Sequence, residues 1–185
     1  MKKNMFFAVT FLLFMTSLQA QDKFFTKGGK ISFYSKASLE NIEAHNKTVT
    51  CVLDSKTGNL QFAVLMKAFE FEKALMQEHF NENYLESHKF PKAEFKGQLV
   101  NNGEINYGKD GKYTAKVKGK LTMHGVTKDV ETTGSIVVKS GKVEADATFN
   151  VALADFNVSI PNVVKDNISK TVSITVDCIL EPLKS

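Results

Sequence analysis

Residues 112–123, KYTAKVKGKLTM, alternate polar and apolar side chains without a break. Tyr113, Ala115, Val117, Gly119, Leu121 and Met123 fall on one side; Lys112, Thr114, Lys116, Lys118, Lys120 and Thr122 fall on the other. A period of two is the pleat of a β-strand, with one face wet and one dry. A chain built from such strands must close its dry faces against one another, and apolar chemistry belongs on that inner side.

The alternation recurs along the sequence. Ile31, Phe33, Ser35, Ala37 and Leu39 share a face within 30–39, and Val49, Cys51 and Leu53 do so within 48–54. Residues 60–69, LQFAVLMKAF, are apolar on both sides, which predicts a strand buried or covered on both. Further strands are predicted over 93–100, 112–123, 129–139 and 142–154, and the last carries Val172, Ile174, Val176, Cys178 and Leu180. Turn pairs Gly58–Asn59, Asn102–Gly103 and Asp110–Gly111, with Gly125 and Gly141, supply tight connections.

The segment 69–87 breaks the rhythm. Leu75, Met76, His79 and Phe80 recur at helical spacings, so one helix is predicted over about 73–82. His88 to Pro91 then forces extended chain, because the residue before proline avoids the helical region.

Eight strands, one helix and no alternating βαβ order predict an all-β fold, an antiparallel barrel or a tightly closed sandwich. An eight-stranded barrel either fills with side chains or holds one small elongated ligand. Gly97, Gly119, Gly134 and Ala147 sit at inward positions and are expected to leave volume there.

The first residues order a basic pair (Lys2, Lys3), an apolar run from Met5 to Leu18 and a small residue, Ala20, before Gln21. That is the pattern of an export signal over 1–20, leaving one domain over 21–185. The run is shorter than the about 20 residues a membrane span requires, and no later segment is long enough. Export to the periplasm, or secretion, is the expected location.

All 24 basic residues are Lys, so the planar fork that grips guanine edges is missing, and the net charge is only +4. Nucleic acid is not an expected partner. Two cysteines in an exported chain raise the question of a Cys51–Cys178 bond. Both occupy apolar-face positions, which suits a bond across the interior or two free buried thiols; free thiols are favoured because the strands are not neighbours in sequence.

No HExxH, CxxC, GxSxG or glycine-rich phosphate loop is present. Glu78, His79, Glu82 and His88 lack any repeated ligand spacing and read as solvated residues of the helical segment. The sequence therefore predicts a protein without catalytic or metal residues. Its excess is fifteen Phe, enough for an aromatic core or for the walls of an apolar pocket roofed by the helix.

The run VKGKLTMHGVTKDVE (117–131) resembles the glycine-then-hairpin motif of the YceI-like family, and HKFPKAEFKGQL (88–99) resembles that family's aromatic-Pro-x-x-x-Phe strand lead-in. The opening GGKISFYSKASLENIEAHN and the ending SITVDCIL fit as well. The resemblance implies an exported, lipocalin-like eight-stranded antiparallel barrel with a short helix in a capping loop. It also implies a non-catalytic role binding a polyisoprenoid or similar amphiphile, with no cofactor beyond a possible isoprenoid lipid or quinone. The expected cavity walls are Phe62, Val64, Met66, Phe95, Val117, Leu121, Phe149, Val151, Ile174 and Val176, and the expected lid residues are Leu75, Met76 and Phe80. The alternative is a secreted stress or interaction module with a filled core. Oligomeric state has no signature in the sequence.

Overall fold

The computed structural model describes residues 22–183, so the expected export signal over 1–20 lies outside the described residues. In chain order the elements are β1 (Lys23–Lys36), β2 (Asn41–Asp54), β3 (Asn59–Leu65), β4 (Glu70–Phe71), α1 (Ala74–His79), β5 (Lys92–Leu99), β6 (Gly111–Met123), β7 (Val126–Lys139), β8 (Lys142–Ala152) and β9 (Thr171–Pro182). Eight strands pair in the order β1-β9-β8-β7-β6-β5-β3-β2, and β2 pairs back to β1. The result is a closed antiparallel barrel, which leaves no free edge among its long strands. β4 is a two-residue addition to β2, with Phe71 opposite Ala44.

Local chemistry sets the tightest connections. His124–Gly125 links β6 to β7 and Ser140–Gly141 links β7 to β8; all four residues have positive φ, between 49° and 75°. Two consecutive left-handed residues make the turn whose twist matches the flanking strands. The β6–β7 pairing then runs unbroken from Gly111 opposite Val138 to Met123 opposite Val126.

The barrel has two unlike ends. At one, Leu53, Leu60, Leu99, Ile136, Val143 and Leu180 are all buried. Tyr107 seals this end: its ring stacks on Phe24 at 5.8 Å, its hydroxyl donates to Asn102 Oδ1 at 2.8 Å, and burial raises its pKa well above the ordinary value. The opposite end gathers the β1–β2 turn, α1, the His124–Gly125 turn and the 153–170 connection. Here lies the mouth.

Three strand expectations change. β1 begins at Lys23 rather than at 30, because register shifts on either side of Gly29 interrupt the alternation that marks a strand in sequence. β1 ends at Lys36, and a turn closed by Ala37 N–H donating to the Glu40 carbonyl puts Leu39 at 73% exposure, not on the inner face. β3 stops at Leu65, which is 54% exposed, and the chain turns through a short 3-10 segment over Met66–Ala68; the strand is not buried on both sides.

Cys51 and Cys178 are both unpaired and buried. Burial pushes the Cys178 thiol up to about 12 and holds the Cys51 thiol well above its usual range, so neither presents a reactive thiolate. Gly29 is required beside them: a Cβ there would lie 2.5 Å from Cys178 Sγ.

Candidate functional site

The inward positions of the strands bound a cavity of about 560 Å³, within the range of about 300–1,000 Å³ usual for small-ligand sites. On β6 the outward Lys112, Lys116, Lys118 and Lys120 are exposed, while inward Val117 and Leu121 are half-buried. Inward side chains of a filled barrel would be wholly buried. These are not, because they face a lumen rather than other side chains.

Phe62, Val64 and Met66 from β3 and the turn after it, Phe95 from β5, Val117 and Leu121 from β6, Phe149 and Val151 from β8, and Ile174 and Val176 from β9 all line the cavity. Leu75, Met76 and Phe80 line it from the helical segment. The period of two carries the wall residues inward, and the helical spacing gathers the other three on one side of the roof.

The inward glycines behave differently from expectation. Gly134 and Ala147 do line the cavity, but Gly97 and Gly119 do not. They face each other across β5 and β6, and the Phe95 ring fills the space beside both: a Cβ on either would lie 2.5 Å from Phe95 Cζ. The missing side chains admit an aromatic ring and a close backbone approach instead of leaving open volume.

Sequence reasoning missed the aromatic pin that seats the helical segment. α1 buries none of its residues fully, and it widens into a π-helical turn over Phe80–Tyr84. Phe80 stacks on Phe33 at 5.6 Å and meets Phe69 at 5.5 Å and Phe71 at 5.1 Å. The excess of Phe carried the signal, but strand position alone placed these rings on different elements. Past the turn, Leu85 is buried, and Ser87 donates from Oγ to Asn81 Oδ1 at 2.7 Å, folding the segment back on itself.

A polar clamp joins this segment to the β6–β7 turn. His124 Nδ1 lies 3.0 Å from the Phe156 carbonyl and Nε2 lies 3.2 Å from Glu86 Oε2, with Phe90 edge-on to the ring. Both partners are acceptors, so both hydrogen bonds form together when the ring carries both protons. Lys89 and then His124 hold the Glu86 carboxyl below its usual range. A depressed native pKa contributes stability above the unfolded value, and that contribution is lost as pH falls through the native one. Hydrogen exchange over 84–90, corrected for its intrinsic rate, is therefore expected to rise on acidification below about pH 4. Glu86→Gln should abolish that step; a variant that keeps it would assign the acid response to another group.

Of the charged side chains that line the cavity, which also include Glu94 of β5 and Asp146 of β8, Lys73 and Glu40 pair at the mouth. Lys73 donates to Glu40 Oε1 at 2.8 Å, tying the start of α1 to the β1–β2 turn, and this lysine and then Asn167 hold the Glu40 carboxyl low. Among the described residues, no three His, Cys, Asp or Glu side chains converge as metal ligands would.

Comparison with known proteins matches a family model described as YceI-like domain to residues 4–180. No curated protein matches the sequence. Among solved structures, a polyisoprenoid binding domain from Saccharophagus degradans, implicated in plant cell wall breakdown, is 12% identical with a TM-score of 0.76, over 89% of this chain and 100% of that one. Burkholderia cenocepacia BcnA is 18% identical with a TM-score of 0.66, over 82% of this chain and 95% of its own. The Campylobacter jejuni YceI protein is 14% identical with a TM-score of 0.54, over 100% of both chains. At these identities the likeness is one of fold.

Proposed function

Because the chain belongs to the YceI-like family, we propose that it is an exported, non-catalytic lipid-binding protein that holds one polyisoprenoid or similar amphiphile inside its barrel as a carrier or store. The observation that carries this reading is the cavity of about 560 Å³, walled by Phe, Val, Leu, Ile and Met and sealed at one end. Burial of apolar ligand surface supplies the drive, at about 25 cal/mol per Å² removed from water. A strand of eleven residues, the length of β8, extends roughly 36 Å, which suits a chain of several isoprene units. The polyisoprenoid-binding domain among the fold neighbours supports the same class of ligand. Export rests on the basic, apolar and small order of residues 1–20.

In this reading Phe62, Val64, Met66, Phe95, Val117, Leu121, Phe149, Val151, Ile174 and Val176 contact the chain, and Leu75, Met76 and Phe80 close over it. Mass spectrometry of the undenatured protein, purified from its exported fraction, is expected to show a bound lipid that organic extraction releases. A protein that carries no lipid and takes up neither an isoprenol nor an isoprenoid quinone would overturn the reading in favour of a surface-acting module.

A further inference from the structure

The three most exposed large apolar side chains among the described residues are Val163 at 90%, Leu39 at 73% and Leu75 at 62%, and all three stand around the mouth. They belong to separate segments: Leu39 to the β1–β2 turn, Leu75 to α1 and Val163 to the 153–170 connection. Hydrogen bonds hold those segments together. Leu39 N–H donates to the Asp166 carbonyl at 3.0 Å, Ser169 N–H donates to the buried Ser35 Oγ at 2.9 Å, and Lys73 Nζ donates to Glu40 Oε1 at 2.8 Å. Leu75 and Val164, the neighbour of Val163, also line the cavity. Apolar tips thus ring the opening of an apolar lumen. One exposed leucine is ordinary; the gathering of the most exposed apolar side chains at one opening marks an interaction surface.

Lysines stand beside the same tips. Lys36, Lys165 and Lys170 line a shallow shelf of about 430 Å³ with Ala37, Ser38, Ile168 and Ser169, and no acid lines it. Among the described residues, none of the ion pairs uses these three lysines, and all three are exposed. The acids within 36–40, 72–75 and 163–170 are Glu40, which Lys73 engages, and the exposed Glu72 and Asp166. The balance of these segments is positive, and the positive charge is concentrated on the shelf. Long lysine stems let ammonium groups reach a polar layer while apolar neighbours sit deeper.

We infer that the mouth is a membrane-docking surface, with Leu39, Leu75 and Val163 entering the acyl boundary of an anionic leaflet and Lys36, Lys165 and Lys170 lying among its phospholipid phosphates. Three tips on separate segments around a hole bury little area against a rigid protein. A fluid acyl layer closes around each tip separately and meets the lumen between them. Lysines near an anionic leaflet add attraction that fades with salt. The inference rests on the lipid-binding reading above for what passes through the opening: an apolar chain can move between bilayer and barrel without crossing water.

The test is flotation of the exported protein with vesicles of phosphatidylcholine alone and of phosphatidylcholine with phosphatidylglycerol in equal parts. The parent is expected to bind the mixed vesicles, less tightly as salt rises. A Leu39→Ser, Val163→Ser variant alters two tips that do not line the cavity. It should lose at least about tenfold in partitioning to mixed vesicles, while its isoprenol affinity and melting temperature stay within error. A Lys36→Gln, Lys165→Gln, Lys170→Gln variant should lose at least about tenfold on mixed vesicles and little on phosphatidylcholine alone. A parent that binds an isoprenol but neither vesicle would overturn the docking surface and leave the lipid reading intact. A parent that binds vesicles as expected but takes up no isoprenol would support the surface and overturn the lipid reading. Loss in the lysine variant alone, with the Leu39→Ser, Val163→Ser variant bound as the parent, would reduce the contact to charge adsorption and overturn the inference. Self-association of the parent that the Leu39→Ser, Val163→Ser variant abolishes, without vesicle binding, would assign the tips to a second copy of the chain and also overturn it.

Discussion

Gly119→Val is expected to destabilise the barrel by about 3 kcal/mol, the upper end of typical overpacking costs. The β5–β6 pair brings Gly119 opposite Gly97, and a Cβ at 119 would lie 2.5 Å from Gly97 Cα and 2.6 Å from the Lys96 carbonyl oxygen. A ring can turn aside; a backbone held in a continuous ladder cannot. Relief requires separating two strands that the closed barrel holds together on both sides. The corresponding fall in melting temperature is roughly 6–12 °C for a domain of this size. Gly28→Ala is the control, since a Cβ there meets nothing within 4 Å. Equal stability of the two variants would mean that β5 and β6 do not approach as described.

Ala147→Phe is expected to reduce affinity for an isoprenol by at least about tenfold while leaving the fold intact. Ala147 lines the cavity near the middle of β8, opposite Val176 of β9, and a benzyl group there projects into space the ligand chain would take. A blocked lumen forfeits the burial of apolar ligand surface, and about 55 Å² of lost burial already corresponds to tenfold. Lys118→Ala, on the outer face of β6, removes only an exposed ion pair with Glu131. Its effect on stability should stay below about 1 kcal/mol, with binding unchanged. Titration by fluorescence or calorimetry, beside thermal melts, separates occlusion from unfolding. A folded Ala147→Phe protein that binds as the parent does would place the ligand outside the barrel.

The two variants separate two kinds of small inward residue. Ala147 borders open volume, whereas Gly119 borders a ring and a neighbouring backbone. In sequence both are small residues at an inward phase of a strand, and nothing nearby tells them apart. The difference depends on how far β5 and β6 approach and on which way the Phe95 ring turns, and both are products of packing.

Much of the fold was legible because a strand's face assignment is local. The alternation through 112–123 sends each lysine outward and each apolar residue inward whatever the partner strands are. The turns at His124–Gly125 and Ser140–Gly141 follow from glycine's tolerance of positive φ, also a local property. The same reasoning placed the wall positions of β5, β6, β8 and β9 on the cavity side. Periodicity failed where a bulge shifted phase, at Gly29, and where a strand ended without a break in hydrophobicity, at Leu65.

Tertiary structure alone decided what meets at the mouth. Ser35 meets Ser169, Glu40 meets Lys73, Glu86 meets His124, and Lys36 shares a shelf with Lys165 and Lys170. Phe80 closes on Phe33 and Phe71 in the same way. These pairings depend on the register with which β1 closes against β2 and β9, because one residue of slip would turn every inward side chain outward and carry the turns to new neighbours. The sequence by itself determined which side of each strand is dry. Barrel closure determined which distant residues stand together around the opening, because that depends on contacts between segments whose separation along the chain no local pattern records.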